Sequence, residues 1–312
     1  MIKKPNELDF SNKKIAMIIS GVAGIGKTTL ALSSPKPLLI DLDKGISRVE
    51  TRYRTDVDEV YNYDELLDDL KNSDLSAYET IVIDTGGKLL ELMKPYVIAK
   101  DVKNGKRDGN LSLQGYGAVK REFASFINFI RSLNKHLIIV FHATEVQLAD
   151  DITGLRIRIE GSSRDDVWDD IDIGGFVEMR GNKRTIGFSN CDRYYAKGTH
   201  GIHGVYDIPL LNEDSKNTFV TDLFNKILSD LNAEANEYAL YQKVMNAFTP
   251  AINEAHTIKE FNSLFQELQT AEHYLTSKKE LWFALVEKGK GLGIVYDNES
   301  KQFTRKETDN QD

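Results

Sequence analysis

The chain has 312 residues, of which 41% are hydrophobic and 28% are charged, a composition typical of a globular protein. The sequence contains no run of 18 apolar residues, which excludes a membrane-spanning helix, and its polar first residues predict no secretory signal. The formal net charge of −8 argues against a surface coated with basic residues for nucleic acid, but it is compatible with a local basic groove. Because Cys191 is the only cysteine, we expect no disulfide, no cysteine-based zinc site and a reducing, cytoplasmic setting.

Four short apolar runs alternate with helical patterns in the first half of the chain. They cover residues 14–19, 37–42, 80–84 and 136–141 and are rich in β-branched residues, as expected for strands buried on both faces of a parallel sheet. The clearest helical pattern covers residues 116–133, where apolar residues recur every three or four positions. Strands that alternate with helices predict an α/β domain with a mostly parallel central sheet.

The pattern changes after residue 170. Residues 174–180, 184–190 and 205–210 predict short strands that extend the sheet, and helical patterns follow from residue 218. Thr257 and Glu260 form a capping-box pattern ahead of one of these helices.

The stretch "NAEANE" interrupts the helical pattern and suggests a boundary near residues 232–235. We therefore expect a core domain over residues 1–232. A helical C-terminal extension with a polar, frayed tail is expected over residues 233–312.

A phosphate-binding motif follows the first strand. Residues 21–28, "GVAGIGKT", fit the pattern G-x-x-x-x-G-K-[ST] between an apolar strand and a helix. Glycines allow the backbone N–H groups to surround an anion, and the helix N-terminus adds partial positive charge. Lys27 is expected to reach the β- and γ-phosphates, and Thr28 to bind Mg²⁺. The predicted nucleotide-binding residues are Gly21, Ala23, Gly24, Ile25, Gly26, Lys27, Thr28 and Thr29.

An aspartate at the end of the third apolar run is a candidate for the metal. Asp84 ends "TIVID", where its carboxylate could meet Mg²⁺ directly or through water. The alternative is an ordinary helix-capping aspartate at the end of a strand. The motif 56 residues upstream favours the metal site.

The residue that activates water must lie elsewhere, because Asp84 is followed by Thr85 rather than by a second acid. The second run ends with Asp41 and Asp43, and the fourth is followed by His142, all at the sheet edge where open α/β sheets bind ligands. We expect Asp43 to be the base and His142 to sense the γ-phosphate. A turn residue and a structural strand-end histidine are the respective alternatives.

The stretches "PLLIDLDKG", "TIVIDTGG" and "LIIVFHATE" resemble the ATPase core of RecA-type recombinases. Their order and spacing are closer still to the phage RecA-like single-strand annealing ATPases of the Sak type, often labelled phage nucleotide-binding or AAA-type proteins. The resemblance covers roughly residues 12–210 and implies a RecA-like P-loop core that uses ATP and Mg²⁺. In such cores an acid at the place of Asp43 activates water, and a polar residue near the place of His142 reads the γ-phosphate.

The resemblance also implies partners. RecA-type cores bind DNA through two loops, which here match residues 98–117 and 144–168. These segments carry the basic residues Lys100, Lys103, Lys106, Arg107, Arg156, Arg158 and Arg164. The alternative for each is a solvated surface loop. The resemblance further implies a homo-oligomer with ATP at subunit interfaces, a basic residue acting across the interface (Arg193 or Lys197), and a phage single-strand binding protein as a further partner in the cytoplasm of a bacterial host.

Three functions are compatible with these features. The favoured one is a phage ATPase that acts on single-stranded DNA during annealing or strand exchange. The alternative is an ATP-dependent loader or remodeller of a replication protein such as a helicase, which the acidic charge and the helical extension would suit. A small-molecule kinase is the third, although the chain shows no arginine-rich lid.

Overall fold

The computed structural model describes residue 10 and residues 12–149, 152–159 and 167–305. The chain divides into two compact units, Lys13–Leu228 and a second unit that contains residues 229–305. Within these described ranges, no helix is both long and apolar enough to cross a membrane.

The first unit is built on one central sheet. Its strands are β1 (Ala16–Gly21), β2 (Pro37–Asp41), β3 (Val57–Asp58), β4 (Thr80–Asp84), β5 (His136–Ala149), β6 (Ile152–Ile157), β7 (Ile173–Arg180), β8 (Lys183–Gly187) and β9 (Val205–Asp207). The spatial order is β3-β2-β4-β5-β1-β7-β8-β9, and β6 pairs with β5 alone. The pairs from β3 to β7 are parallel, whereas β6, β8 and β9 pair antiparallel. The C-terminal ends of β1, β2, β4 and the parallel part of β5 therefore meet at one edge.

Helices cover the sheet because its strands are apolar on both faces. The helices of the first unit are α1 (Lys27–Ala31), α2 (Tyr63–Asn72), α3 (Gly86–Lys100) and α4 (Leu113–Ser132), with 3₁₀ turns at Ile46–Arg48, Thr51–Tyr53 and Val102–Asn104. Ile18, Ile83 and Ile139 of the sheet pack in one buried cluster with Leu89 of α3 and Phe126 of α4. These helices fix the strand ends that carry the candidate site.

The second unit has its own small core. The helix α5 (Phe219–Glu254) begins in the first unit and continues into the second, where α6 (Ile258–Thr270), α7 (Ser277–Gly291), β10 (Ile294–Asp297) and β11 (Gln302–Arg305) follow. Phe261, Leu281 and Phe303 are fully buried in this core. The predicted capping box is confirmed, because Thr257 and Glu260 each accept a hydrogen bond from the other's backbone N–H.

The predicted fold class is confirmed. The chain is α/β, with a mostly parallel central sheet, a P-loop directly after β1, and C-terminal helices. The predictions that rest on local sequence patterns are confirmed. Each short apolar run contributes to a buried strand, and the helical pattern of residues 116–133 corresponds to α4.

Three local predictions were wrong. Residues 232–235 do not interrupt the helix, because "NAEANE" holds helix-forming alanine and glutamate with no glycine or proline, and α5 continues through it. Residues 298–305, predicted as part of a frayed tail, include β11 and the turn before it. Phe303 anchors that strand: its N–H donates to Asn262 Oδ1 at 2.7 Å, and its carbonyl accepts from Asn262 Nδ2 at 3.0 Å.

The third concerns the second of the two predicted DNA-binding loops. In the first, residues 101–112 connect α3, which ends at Lys100, with α4, which begins at Leu113. Residues 144–157 belong mostly to an antiparallel hairpin formed by β5 and β6, which the sequence analysis missed.

Candidate nucleotide-binding site

The P-loop lies between β1 and α1 and has the backbone shape of an anion cradle. Gly24 and Gly26 have φ angles of 77° and 88°, in the left-handed region that side chains disfavour. A β-carbon at position 26 would also collide with Nη1 of Arg184. Both glycines therefore suit the conformation of the loop, and Gly26 also allows the close approach of the Arg184 guanidinium.

Lys27 begins α1 and is 4% exposed. Its ammonium donates to the carbonyl of Val22 at 2.7 Å and lies 3.3 Å from Nδ1 of His142. Burial lowers the pKa of Lys27 to about 8, although Asp84 and Asp43 partly offset the effect. The Lys27 ammonium lies beside the P-loop, where it can exchange its hydrogen bond to the Val22 carbonyl for one to a phosphate oxygen.

Thr28 and Asp84 form the candidate metal site. The Thr28 hydroxyl donates to Oδ2 of Asp84 at 2.5 Å. Burial raises the pKa of the Asp84 carboxyl, while Thr28 and Lys27 act in the opposite direction. Two hard oxygen donors beside a phosphate cradle fit Mg²⁺, which binds few protein ligands and completes its shell with water and phosphate. The described residues contain no group of three or more His, Cys, Asp or Glu that could hold a metal ion.

The two aspartates at the end of β2 have different surroundings. Asp41 is buried, and its carboxylate accepts hydrogen bonds from the N–H groups of Gly45 and Ile46 at 2.8 and 2.9 Å. Asp41 thus builds the turn. Asp43 lies on that turn with a partly exposed carboxylate, and its N–H donates to the carbonyl of Asp84 at 3.2 Å. This backbone bond places Asp43 next to the candidate metal site.

His142 connects Asp43 with Lys27. The Asp43 Oδ2 atom lies 3.7 Å from Nε2 of His142, and Lys27 Nζ lies 3.3 Å from Nδ1. An ammonium can only donate, so Nδ1 must be the acceptor, and the proton of a neutral ring then lies on Nε2, facing Asp43. His142 therefore contacts the Asp43 carboxylate with one ring nitrogen and the Lys27 ammonium with the other.

These residues line one cleft of about 180 Å³. Its lining includes Ala23, Gly24, Gly26, Lys27, Thr28, Thr29, Asp43, Asp84 and His142, all predicted from the sequence. It also includes Arg48, whose Nη2 atom lies 3.6 Å from Oδ2 of Asp43. This cation was not predicted from the sequence, although its position five residues after Asp43, on the turn that follows β2, was a usable signal.

Of the remaining predicted loop residues, Gly21 ends β1 in the register position opposite His142 of β5, and Ile25 places its carbonyl 3.5 Å from Nη1 of Arg184. Arg184 of β8 is the second cation that the sequence analysis missed. A strand was expected there, but nothing local indicated that it reaches the P-loop.

The two candidates for action across a subunit interface do not line this cleft within their own chain. Arg193 is largely exposed and lies 3.4 Å from Oε2 of the buried Glu178. Lys197 donates to the carbonyl of Trp168 at 3.0 Å. Their roles in a neighbouring subunit stay predictions.

The basic residues of the first predicted DNA-binding segment cluster around a tight turn. Lys100, at the end of α3, lies 3.5 Å from Oε2 of Glu122 and 4.1 Å from the ring centre of Tyr96. Lys103, Lys106 and Arg107 are exposed. The turn is closed by the Lys106 N–H, which donates to the carbonyl of Asn110 at 2.7 Å.

The second segment is more dispersed. Arg156, on β6, directs its guanidinium to the carbonyls of Leu155 and Arg193 at 3.0 and 3.5 Å. Arg158 is exposed and follows β6. Arg164 lies outside the described residues. The structure therefore places Arg156 and Arg158 on and directly after a β-hairpin.

The sequence of residues 13–200 matches the family model described as AAA domain (AAA_24). The chain belongs to the AAA domain family. The match contains every residue of the cleft as well as Arg184, Arg193 and Lys197, and it ends before β9 and the second unit. The AAA domain of this chain thus has a P-loop ATPase fold.

Among solved structures, the chain is similar to the KaiC-like protein PH0186 from the hyperthermophilic archaeon Pyrococcus horikoshii OT3. The two sequences are 11% identical, the similarity covers 62% of this chain and 89% of that chain, and the TM-score is 0.34. No curated protein matches the sequence of this AAA domain protein.

Proposed function

We propose that the protein hydrolyses ATP in this cleft, with Asp43 as the general base. The observation that carries the proposal is the convergence of a phosphate cradle, a buried lysine, a threonine–aspartate pair and a separate, partly exposed carboxylate in one cavity. A kinase would instead need a site for an acceptor molecule beside the γ-phosphate.

The step requires one proton transfer. A water oxygen attacks the γ-phosphorus while its proton passes to the Asp43 carboxylate, and the bond between the γ-phosphorus and the β,γ-bridging oxygen breaks. ADP leaves with the bridging oxygen, and the phosphate carries the attacking oxygen. Lys27 offsets the charge on the phosphates, because its ammonium can exchange the carbonyl of Val22 for a phosphate oxygen.

The contacts of His142 with Lys27 and Asp43 link nucleotide binding to Asp43, the proposed general base. A γ-phosphate that draws the Lys27 ammonium away frees Nδ1 of His142, 3.3 Å distant in the present structure. The position of the imidazole then depends on whether a γ-phosphate is bound. Because Nε2 of the same ring lies 3.7 Å from Oδ2 of Asp43, such a change also affects the carboxylate.

Thr28 and Asp84 would hold Mg²⁺, which supplies charge stabilisation to the phosphates when bound. The buried Asp84 also keeps the end of β4 in place, since its carbonyl accepts the N–H groups of Leu42 and Asp43 at 2.8 and 3.2 Å.

We further propose that this hydrolysis serves recombination on single-stranded DNA, with the protein acting as a phage annealing or strand-exchange ATPase that assembles into oligomers. The resemblance to the Sak-type phage ATPases motivates the proposal. The exposed cations Lys103, Lys106 and Arg107 on one turn support it, because binding to a phosphate backbone requires accessible positive charge. Arg193 or Lys197 would act on the γ-phosphate of a neighbouring subunit.

The test is ATP hydrolysis by the full chain with single-stranded DNA, duplex DNA or no nucleic acid. We expect turnover in all three, with stimulation by the single strand and retention of that strand at low salt only with ATP. Hydrolysis with no DNA response would refute the DNA proposal, and absence of hydrolysis would refute both.

The second candidate, a loader or remodeller of a replication protein, is favoured by the second unit. A groove of about 570 Å³ there is lined by Leu275, Trp282 and Tyr296, among others, and the neighbouring Phe283 is 58% exposed. Stimulation of hydrolysis by a replication protein but not by DNA would select this function.

A further inference from the structure

A second cavity of about 250 Å³ lies next to the P-loop helix. It is formed by β8, β9 and the residues that lead into α5, and its apolar lining includes Ile208, Pro209, Leu211 and Leu223. Tyr206 is a further lining residue, and its ring packs edge-on against Phe188 at 5.6 Å between ring centres. Clefts that hold a whole drug-sized ligand measure roughly 300–1,000 Å³, so this cavity suits one part of a larger ligand.

Direct contacts join this cavity to the P-loop. Arg184 lines the cavity, and its Nη1 atom lies 3.5 Å from the carbonyl of Ile25 and against the α-carbon side of Gly26. Asn217, another lining residue, donates through Nδ2 to the carbonyl of Thr29 at 2.8 Å. Two residues that line the cavity therefore contact the P-loop and the helix that follows it.

Arg184 lacks the partner that a half-buried guanidinium usually has. In the described part of the chain, no carboxylate pairs with it, and its buried Nε atom has no hydrogen-bond partner. Desolvation lowers its pKa. A partly buried cation without a counter-charge is costly unless an anion joins it, and the nearest place built for anions is the P-loop.

We propose that this cavity holds the purine base and ribose of the nucleotide, with the Arg184 guanidinium contacting the phosphates where the two subsites meet. The inference rests on the proposed ATPase function and gives a place for the base and ribose of its substrate. Tyr206 would present its ring to the base, and the apolar residues around it would exclude water.

The first test compares Mg²⁺-ATP with Mg²⁺ and inorganic triphosphate by isothermal titration calorimetry. The full-length protein should bind ATP at least about tenfold more tightly, because only ATP reaches the cavity. Leu211→Trp, which fills the cavity from a half-buried position, should reduce ATP affinity to that of triphosphate and leave triphosphate affinity unchanged. Tyr206→Ala gives a second variant that removes the ring without filling space, and it should lower ATP affinity selectively.

The second test addresses Arg184. Arg184→Met keeps the aliphatic stem and removes the charge, so affinity for both ATP and triphosphate should fall about tenfold or more. Lys183→Met is the matched control on the same strand. The Lys183 ammonium pairs with Asp207 at 2.6 Å rather than with the P-loop, so both affinities should stay unchanged.

The outcomes separate the two proposals. Equal affinity of the wild-type chain for ATP and triphosphate, or an undiminished ATP preference in a folded Leu211→Trp protein, would overturn the base subsite and leave the phosphate site intact. Failure of the wild-type chain to bind either compound would instead overturn the proposed ATPase function. Thermal unfolding of each variant shows that it is folded.

Discussion

The phosphate cleft and the turn that carries Lys103, Lys106 and Arg107 are both cationic, yet they differ in every other respect. In the cleft, Lys27 is buried, has two polar neighbours and a lowered pKa, and faces Asp43 and Asp84. On the turn, the cations are exposed at the surface. The cleft holds its charged groups against one another at short distances, whereas the turn presents its charged groups to solvent.

This difference shows what each region can specify. A preorganised site can distinguish a triphosphate from other anions, since its donors are already directed at the place where charge develops. Exposed cations attract any phosphate backbone in a way that depends on salt and only weakly on sequence. Experiments on the cleft should therefore give large effects on chemistry, and experiments on the turn smaller, salt-dependent effects on binding.

The largest effect is expected from Lys27→Ala. Removal of the ammonium leaves the phosphates without their main counter-charge, so ATP hydrolysis should fall by at least roughly 10²–10³-fold. Steady-state phosphate release measures it. Lys88→Ala is the control, because Lys88 lies on the surface of α3, where it pairs with Glu91 at 2.9 Å. If the Lys27 variant hydrolysed ATP within a few fold of the wild-type rate, the cleft would be no more important for the chemistry than the exposed turn.

The sequence revealed much of the cleft because its causes are local. The spacing of Gly24, Gly26 and Lys27 encodes the cradle, and parallel strands bring Asp43, Asp84 and His142 to one sheet edge once β2, β4 and β5 are recognised.

Non-local features escaped the sequence analysis. Arg184 reaches the P-loop from a strand more than 150 residues away, and nothing near it in the sequence indicates this. The hairpin of β5 and β6 was missed since its polar and charged residues suggest a loop, although strand pairing satisfies their backbone groups. The strand that contains Phe303 was not predicted, because the surrounding sequence is polar and the hydrogen-bond partner of Phe303, Asn262, lies 41 residues earlier.

Asp43→Asn is expected to have the second-largest effect. The amide cannot take the proton from water, so kcat should fall about 10²–10⁴-fold while the Kd for ATP stays unchanged. Single-turnover hydrolysis with a parallel binding titration separates the two quantities. Asp68→Asn, an exposed substitution on α2, serves as the control. Normal kcat in the Asp43 variant would assign the base to His142 or to Glu145, which lies three residues further along β5.

A smaller effect is expected from pH. Lys27 must be charged to bind phosphate, and its pKa in the free protein is about 8. Raising the pH from about 7.5 to about 9 removes most of that charge, so ATP affinity should fall by up to roughly eightfold. Lys27→Arg, which stays charged, should flatten the profile of whatever binding it retains.

The titration of Lys27 also affects the stability of the fold, and here the expected pH dependence is opposite to that of ATP affinity. The pKa of Lys27 is about 8 in the folded protein and 10.5 in the unfolded chain, so between these pH values the unfolded chain binds more protons. The contribution of Lys27 to the free energy of unfolding without nucleotide should therefore rise with pH in this window. Comparison with Lys27→Met by denaturant titration isolates it, and equal pH dependence of the two proteins would contradict the buried state of this lysine.

The smallest and most salt-dependent effect is expected on the exposed turn. Each single-strand phosphate contact contributes about 0.7 to the slope of log affinity against log salt, so Lys106→Glu with Arg107→Glu should lower that slope by about 1.4. Fluorescence anisotropy of a labelled single strand, titrated at several salt concentrations, measures it. DNA-free ATP hydrolysis should stay at the wild-type rate, because the cleft does not include these residues.

The matched control is Lys278→Glu with Lys279→Glu, which makes the same change of net charge in the second unit. If both double variants weaken DNA binding equally, the effect comes from net charge and the turn is an ordinary solvated surface. If only the turn variant lowers the slope, the turn contacts the DNA backbone. In that case an exposed region without preorganised geometry still has a defined ligand, because its cations lie together on one short, closed turn.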